Sequence, residues 1–377
     1  MDLKKQIKLS GLLRRSATAK KSGAAKALRG EVVGLKIGAS QLAASRVANN
    51  GSARLLQLAR GPLPSGIVVS GEVRDIPALA AALDEFFRTH KLPRRGVRLG
   101  VATNRIGVRS FELAGIDDES QLANAVRFRA HEALSIPVDD AVLDYHTIGE
   151  FEQDDRKMLR MLLVAAQRSM VDLLVQAVSA ARLDPVGIDL VPFALVRSIG
   201  ASDQGLDLNE GQVEEAIVDI GAHVTNIVVH ARGETRFVRI LPSGGRDITV
   251  AIARSAGVDD DVAERLKRGQ EVEDAPSPQQ VRQAALQRAA AFVDEVRSSL
   301  EFYTAQAKDV RIGRVKVTGG GSRLEGLFDL MRQRIPVPVE PGGVFGTVAH
   351  QLDPADVAAA EPLLAVAVGL ALPEGGS

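Results

Sequence analysis

A strand-turn-strand unit occurs twice in this chain, and the repeat limits the folds that the sequence can adopt. Residues 33–39 (VGLKIGA) align with residues 216–222 (AIVDIGA), and each stretch is followed by a second strand, a Gly-containing turn and a third strand. Each copy then reaches Pro-Ser-Gly, at residues 64–66 and 242–244. Chance explains one such match easily, but not the whole ordered series. The repeat predicts two related lobes, each with a phosphate-binding turn that faces the other.

The second copy of this unit places an acid directly before its turn. A buried strand that ends in Asp219, turns at Gly221 and re-enters as a second strand presents backbone N–H groups and a carboxylate together. That arrangement suits phosphate and a metal ion. Asp-x-Gly turns are also common in ordinary hairpins, so this stretch alone leaves the plainer interpretation open. Because a carboxylate is costly to bury alone, a partner for Asp219 is expected.

The length and composition of the chain exclude several classes of protein. With 377 residues it is too long for one ordinary core, so two or more domains are expected. A formal net charge of zero, and 3% aromatic residues with no Trp, argue against nucleic-acid binding. There is no Cys, and the six His show no metal-ligand spacing. No segment approaches the ~20 apolar residues of a transmembrane helix.

The first 30 residues form a basic segment that contains one acid, Asp2. Its basic residues are Lys4, Lys5, Lys8, Arg14, Arg15, Lys20, Lys21, Lys26 and Arg29. A flexible solvated tail and a weak contact with an anionic membrane both fit, since each basic residue near a charged leaflet contributes roughly 1 kcal/mol. No apolar stretch follows, so a secretory signal is not expected. Residues 373–377 are predicted to form a short tail.

Hydrophobic periodicity and turn residues predict the domain order. A strand–helix–strand–strand unit interrupts the first lobe, and a long helix from about Val281 belongs to the second. The predicted domains are a basic tail (1–30), a first lobe (31–104 and 168–200), an inserted subdomain (105–167) and a second lobe (201–372) with a helical subdomain at about 246–310.

Three consecutive glycines stand between a predicted strand at residues 314–318 and a helix that is predicted to begin near Leu324. A plain strand-to-helix turn needs only one glycine. Three of them let a ligand ring or a phosphate approach the backbone closely. This segment is therefore a third candidate for ligand binding.

These elements, in this order, resemble the actin-like ATPase superfamily, with its two phosphate turns and Gly-rich adenosine turn. The inserted unit resembles that of the cell-division protein FtsA and of the PilM family, and the likeness extends from about Val32 to Leu372. FtsA proteins end in an amphipathic membrane helix, and this chain is expected to end without one, which favours PilM. The stretches that resemble PilM are GPLPSG (61–66), ALSIP (133–137), LDY (143–145), DIGA (219–222) and LAVAVGLAL (364–372).

The resemblance implies an α/β fold of two actin-like lobes, with an inserted subdomain and an ATP cleft between the lobes. Asp219 is implied to hold Mg²⁺ through water, and it is also the one candidate for a catalytic role. The implied nucleotide-binding residues are Lys36, Gly38, Ala39 and Ser40 (first phosphate turn), Asp219, Gly221, Ala222 and Thr225 (second phosphate turn), Glu264 and Lys267 (ribose and base), and Gly319, Gly320, Gly321 and Ser322 (adenosine turn).

Lys36 departs from the family pattern, which has an Asp at this position that helps to place magnesium. A Lys ammonium about 4 Å from Mg²⁺ would be repelled by roughly 8 kcal/mol at an effective dielectric constant of 20. Lys36 therefore turns away, contacts phosphate itself, or displaces the metal. Asp219 then holds Mg²⁺ alone or forms an ion pair with Lys36 across the cleft. His223 is a lesser departure, and a solvent-facing side chain is expected for it.

The resemblance implies a cytoplasmic ATP-binding scaffold of the type IV pilus assembly platform, peripheral to the inner membrane. Its implied partners are the N-terminal cytoplasmic peptide of a PilN-like inner-membrane protein, bound between the first lobe and the insert, and other pilus assembly components. Lys36 leaves ATP hydrolysis open, and weak or absent turnover is expected. Two alternatives remain: an FtsA-type filament that self-associates through the insert, and a small-molecule kinase, for which the sequence offers no isolated general base.

Overall fold

The computed structural model describes residues 30–373, apart from residues 117, 135–136, 201–211, 274, 308–309 and 345–347. Residues 1–29 of the predicted basic tail, residues 374–377 of the short C-terminal tail, and Ser135 and Ile136 of one PilM-like stretch lie outside the described residues. Within this part of the chain, no helix combines the length and the apolar character needed to cross a membrane.

Runs of strands separated by helices make up the described chain. The strands are β1 (Glu31–Ile37), β2 (Gln41–Ala48), β3 (Arg54–Pro62), β4 (Val68–Val69), β5 (Glu72–Val73), β6 (Arg95–Val101), β7 (Ile106–Ala114), β8 (Ala141–Gln153), β9 (Arg156–Gln167), β10 (Asp184–Leu190), β11 (Gln212–Ile220), β12 (Thr225–Ala231), β13 (Glu234–Leu241), β14 (Val310–Thr318), β15 (Val339–Pro341) and β16 (Ala349–His350). The helices are α1 (Ile76–Thr89), α2 (Glu119–Ala133), α3 (Arg168–Ala180), α4 (Val191–Ile199), α5 (Gly245–Ala256), α6 (Asp260–Lys267), α7 (Pro278–Gln306), α8 (Leu327–Arg334) and α9 (Pro354–Ala371).

Five strands of each large sheet share one topology, as the sequence repeat predicts, and the first sheet has a sixth strand, β16. The first has the strand order β10-β6-β1-β2-β3-β16, and the second has the order β15-β14-β11-β12-β13. In each sheet the first three strands of the copy pair antiparallel, and a later strand pairs in parallel with the first: β6 with β1, and β14 with β11. β1 and β11 are therefore equivalent central strands, and the repeated turns follow their C-terminal ends.

Helices with one apolar face complete the core of each lobe. α1 is capped by Asp75, whose side chain accepts a hydrogen bond from the Ala78 N–H at 2.9 Å, and it buries the Leu and Phe side chains that the helical spacing predicts. In the second lobe, α7 runs for 29 residues from its N-cap Ser277. Burial stabilises such a face by about 1.5–3 kcal/mol for each large apolar side chain. α8 begins later than predicted because a short 3-10 helix (Gly320–Arg323) follows β14.

The insert is a small antiparallel sheet, with the strand order β7-β9-β8, whose core includes residues of α2. Its central strand β9 is buried on both faces. Met161 and Leu163 belong to the core shared with α2, whereas Leu162 and Val164 join the core of the first lobe. A continuous apolar strand is expected where both faces of a sheet are covered. The insert is thus anchored to the first lobe through β9.

The last helix, α9, lies against the sheet of the first lobe, although its sequence position had placed it with the second lobe. Ser45 Oγ in β2 donates a hydrogen bond to the carbonyl of Ala367 at 2.9 Å. Two glycines permit the close approach. A Cβ on Gly34 would lie 2.0 Å from the Ala367 oxygen, and one on Gly369 would lie 1.8 Å from the Ala194 oxygen in α4. The first lobe is therefore completed by the last helix of the described chain.

A buried charge cluster joins the second sheet to the end of α4. Glu215 is 3% exposed, and its carboxylate lies 3.1 Å from His230 Nε2 and 3.1 Å from Lys316 Nζ, and also accepts a hydrogen bond from Arg314 Nε. Lys316 Nζ in turn donates to the carbonyl of Ile199, the last residue of α4, at 3.3 Å. Burial raises the pKa of Glu215, but these partners outweigh burial and hold the pKa below its usual value.

Candidate functional site

Both repeated turns close in the same way. In the first, the Gly38 N–H donates to the Gln41 carbonyl at 3.0 Å, and in the second, the Gly221 N–H donates to the Val224 carbonyl at 3.0 Å. A Cβ on Gly38 would lie 2.9 Å from the Gln41 oxygen, and one on Gly221 would lie 2.7 Å from the Val224 oxygen. Glycine is needed at both positions because the turn brings a carbonyl oxygen too close for a side chain.

Two consecutive N–H groups are unpaired at the tip of each turn. Within the described residues, the N–H groups of Ala39 and Ser40 in the first turn, and of Ala222 and His223 in the second, donate no hydrogen bond. Successive unpaired N–H groups of this kind form a concavity that binds anions. The two turns therefore offer two sets of N–H donors that could bind an anion.

Lys36 and Asp219, which are equivalent residues of the two copies, form an ion pair across the cleft. Nζ of Lys36 lies 3.2 Å from Oδ2 and 3.4 Å from Oδ1 of Asp219. Asp219 is 1% exposed, so its carboxylate would be strongly destabilising without a partner. Of the alternatives that the sequence left open for Asp219, the ion pair is the one present in this structure.

Asn226 is a further residue of the site, and the sequence reading did not single it out. It is 2% exposed, and its Nδ2 donates to Oδ2 of Asp219 at 3.1 Å. Its Oδ1 is buried and has no hydrogen-bond partner within the described part of the chain. Asn226 pairs directly with Asp219 in the β11–β12 register, and facing residues of an antiparallel pair lie on the same side of the sheet. The pairing of Asn226 with Asp219 in the two strands was the signal from which the sequence could have identified it.

His223 makes a second contact across the cleft rather than facing solvent. Its Nδ1 accepts a hydrogen bond from the Ser70 N–H at 3.1 Å, and its side chain is partly buried. Burial, followed by the nearby guanidinium of Arg246, lowers the pKa of His223. The neutral imidazole is the form that makes the contact, because a protonated Nδ1 cannot accept a hydrogen bond.

The contact between His223 and Ser70 is expected to weaken in mild acid. A lowered pKa means that the closed cleft binds the proton less readily than an open one, so the contact stabilises closure above pH 6.5 and is lost as the pH falls through the lowered pKa. Amide hydrogen exchange at Ser70, corrected for its intrinsic rate, should accelerate over that range. His223→Gln should abolish the pH dependence, whereas His131→Gln on the exposed side of α2 should preserve it. Constant protection of Ser70 between pH 8 and pH 5 would contradict this prediction.

A cavity of about 70 Å³ lies between the two turns. The predicted residues in its walls are Lys36, Gly38, Ala39, Asp219, Gly221 and Ala222. Pockets that bind small molecules typically measure about 300–1,000 Å³, so this cavity is too small for a nucleotide as it stands. The structure is therefore that of a closed cleft.

Two predicted turn residues lie outside the cavity walls. Thr225 is fully buried, and its hydroxyl donates to the carbonyl of Ser243 at 2.8 Å. Ser40 is exposed, and its carbonyl accepts a hydrogen bond from the Leu63 N–H at 3.0 Å. In this structure the Thr225 hydroxyl links the second turn to the segment before α5, and the Ser40 carbonyl links the first turn to the end of β3.

Glu264 and Lys267 lie together on α6, near the second turn but outside the cavity walls. Nζ of Lys267 donates to Glu264, to Thr249 Oγ1 at 2.8 Å and to the Gly245 carbonyl at 2.9 Å, while the Gly245 N–H bonds the Gly221 carbonyl at 2.9 Å. Burial lowers the pKa of Lys267 in spite of its carboxylate partner. Burial raises the pKa of Glu264, but hydrogen bonds from Lys267 and Thr249 bring it below its usual value. The pair braces the start of α5 against the second turn.

The glycine run of residues 319–321 packs against the end of β11, and neither it nor Ser322 is among the described residues that line the cavity. A Cβ on Gly319 would lie 2.6 Å from Oδ1 of Asp219, and one on Gly321 would lie 2.3 Å from Cγ2 of Ile220. Ser322 Oγ donates to the Gly319 carbonyl at 2.7 Å, while Gly320 lies between them. Packing against β11 alone therefore requires glycine at 319 and 321, whether or not a ligand binds there.

Known proteins share this architecture. The ethanolamine utilization protein EutJ of Carboxydothermus hydrogenoformans has a similar fold, with a TM-score of 0.55 and 15% identity over 91% of this chain and 89% of that chain. The cell division protein FtsA of Pseudomonas aeruginosa is 25% identical over 350 residues, 82% of each chain. FtsA of Bacillus subtilis is 25% identical over 309 residues, 72% of this chain and 69% of that protein. Two equivalent lobes with opposed turns define this chain as a protein of the actin-like ATPase fold.

Within this class, the chain belongs to the PilM family of type IV pilus assembly proteins. The family model for the type IV pilus assembly protein PilM matches residues 34–374. A solved PilM–PilN type IV pilus biogenesis complex contains a chain that is similar to this one, with a TM-score of 0.79 and 28% identity over 92% of this chain and 100% of that chain. The predicted fold class and family are both confirmed.

Proposed function

We propose that this protein is a cytoplasmic nucleotide-binding scaffold of the type IV pilus inner-membrane assembly platform, with weak or absent ATP hydrolysis. The observation that carries the proposal is the pair of equivalent glycine turns, which face one another with unpaired N–H groups. N–H groups in this arrangement bind phosphate oxygens. Membership of the PilM family supports the context of pilus assembly.

The donors of the cleft fit the phosphates of ATP. The N–H groups of the two turns and the ammonium of Lys36 would contact phosphate oxygens once the lobes part. Glu264, Lys267 and residues 319–322 lie one or two contacts from Asp219 or Gly221, so they would line the adenosine end on the second lobe. A bound nucleotide would then bridge the two lobes and set their separation.

The groups at the cleft support weak or absent hydrolysis. A hydrolytic site needs a side chain that orients the attacking water or accepts its proton. Asp219 is the only acid among the residues that line the cavity, and both Lys36 and Asn226 already bind its carboxylate. The same observation disfavours a small-molecule kinase.

The proposed partner is the N-terminal cytoplasmic peptide of a PilN-like inner-membrane protein, which would hold the scaffold at the membrane. A PilM–PilN complex is among the solved structures similar to this chain. The insert is fixed to the first lobe through β9, which continues directly into α3. We place the peptide in the groove between the insert and the first lobe. From there the peptide would reach other assembly components.

Peptide binding and nucleotide turnover together test the proposed function. A synthetic N-terminal peptide of the PilN-like protein from the same genome should bind the full chain saturably in ATP, ADP or no nucleotide, and a scrambled peptide should not. Phosphate release should fall far below the roughly 1–100 s⁻¹ of kinases. Failure of the peptide to bind in every nucleotide state would contradict the scaffold, and turnover like that of a kinase would contradict slow hydrolysis.

Self-association of the FtsA type is a second candidate, favoured by an exposed aromatic side chain on the insert. Phe128 on α2 is 67% exposed and stands between Arg127 and Arg129. Electron microscopy with and without ATP should then show filaments that Phe128→Ser removes. Phe302→Ser is the matched control, because Phe302 is 49% exposed on the second lobe. Single particles in both conditions would exclude this candidate.

A further inference from the structure

The one acid of the cleft that could hold a magnesium ion is already paired with a cation. Among the described residues, no three His, Cys, Asp or Glu side chains gather into a group that could hold a metal. At a nucleotide site Mg²⁺ is usually bound at about 2.1 Å by one or two carboxylates together with phosphates and waters, and Asp219 is the only acid among the described residues of the cavity walls. The ammonium of Lys36 already lies on both of its oxygens, and a Mg²⁺ about 4 Å from that ammonium would be repelled by roughly 8 kcal/mol. The residues present do not fit this ion.

Lys36 instead gives the cleft a positive charge of its own. Its side chain is 19% exposed and lies in the cavity wall beside Ala39 and Ala222, whose N–H groups are unpaired. An ammonium has three N–H donors, and the two oxygens of Asp219 engage two of them. In the closed cleft the third donor has no partner among the described residues, so it is available to an anion.

In the closed cleft, Asp219 and Asn226 hold that ammonium at the centre. Both lie on the paired strands β11 and β12, and the amide of Asn226 fixes one carboxylate oxygen at 3.1 Å. The unpartnered Oδ1 of Asn226 is buried and belongs to a residue of the same cavity wall. That oxygen can accept a hydrogen bond from a water molecule that enters with the nucleotide, since nearly all such buried groups in native proteins are paired.

We propose that Lys36 takes the place of the divalent cation, so that the cleft binds nucleoside di- and triphosphates without a metal ion. This inference rests on the proposed nucleotide function and specifies the form of nucleotide that the cleft accepts. Charge-assisted hydrogen bonds from an ammonium to phosphate are about twice as strong as neutral ones. One ammonium neutralises less charge than Mg²⁺, so it compensates little of the additional negative charge of ATP. ADP should therefore bind about as tightly as ATP.

Calorimetric titration of the full chain with ADP and with ATP, in excess EDTA and in excess magnesium chloride, tests this proposal. Removal of magnesium should change the dissociation constant by less than about threefold. In EDTA, Lys36→Gln should weaken binding at least about tenfold, and Lys36→Arg should retain it. Lys157→Gln, at an exposed lysine of the insert, is the control and should bind like the unmodified protein.

Two further variants separate a binding defect from a folding defect. Lys36→Gln alone leaves the carboxylate of Asp219 without its ion pair, which destabilises the fold. The double variant Lys36→Gln/Asp219→Asn removes both charges. It should therefore melt like the unmodified protein and still bind nucleotide weakly. Lys36→Asp places two carboxylates at the cleft and should make binding depend on magnesium. Strict magnesium dependence of the unmodified protein would overturn the proposal while leaving nucleotide binding intact. Absence of binding in both buffers would overturn the proposed nucleotide function as well.

Discussion

Replacing Glu215 by glutamine is expected to lower the free energy of unfolding by about 4 kcal/mol. The amide keeps the size of the carboxylate but leaves Arg314 and Lys316, which are 8% and 6% exposed, without the carboxylate that lies between them. Removal of one partner from a buried ion pair typically costs about 3–5 kcal/mol, because the remaining buried charges are then compensated less well. Chemical denaturation followed by circular dichroism measures the loss.

An exposed ion pair provides the matched control. Glu301 is 63% exposed and lies 3.6 Å from Arg297, so Glu301→Gln should cost less than about 1 kcal/mol. The lowered pKa of Glu215 adds a test in acid. Its folded carboxyl binds a proton less readily than the unfolded one, so the stability that it contributes is present above pH 4.5 and is lost as the pH falls further. Glu215→Gln should flatten that part of the acid unfolding curve. Equal stability of Glu215→Gln and Glu301→Gln would contradict the prediction.

Gly369→Ala is expected to lower the free energy of unfolding by about 3 kcal/mol, although alanine favours a helix over glycine by about 1 kcal/mol. The new Cβ would lie 1.8 Å from the carbonyl oxygen of Ala194 and 2.5 Å from its carbonyl carbon. Those atoms belong to the backbone of α4 and cannot rotate away, so α9 must move off its neighbour. Thermal melting and limited proteolysis near α9 report the displacement.

Gly187→Ala is the control for this steric argument. Gly187 lies in β10, and a Cβ there would meet no heavy atom within 4 Å. Its melting temperature should stay close to that of the unmodified protein, since substitutions away from tight contacts usually change stability by less than about 0.5 kcal/mol. If Gly369→Ala melts at the same temperature as Gly187→Ala, the close approach of α9 and α4 does not constrain the fold.

The repeated turns were predictable because their causes are local. Gly38 and Gly221 are fixed by a carbonyl three residues along the chain, and the apolar runs that precede them form central strands in both sheets. The repeat therefore predicted two lobes whose turns oppose each other. It also left two possibilities for Asp219, and only the distance between the lobes decides in favour of the ion pair with Lys36.

Features that depend on distant packing were not predictable. Gly319 and Gly321 suggested an approaching ligand, but the atoms that exclude a side chain there belong to Asp219 and Ile220. His223 was expected to face solvent, and its partner Ser70 is 153 positions away in the chain. The return of α9 to the first lobe likewise follows from close contacts with helices and strands far away in sequence.

The position of α9 sets an order of events during synthesis. Asn49 Nδ2 donates to the Ala371 carbonyl at 3.0 Å across 322 positions of sequence. At roughly 10 residues per second, a ribosome needs about half a minute to make the intervening chain. The last residue in the core of the second lobe is Val339, so that lobe can fold during the interval. β1 and β2 remain uncovered until α9 is made. The lobe that begins the chain is thus the last to mature, and a message cut short before α9 would yield a protein with a finished second lobe and an open first one.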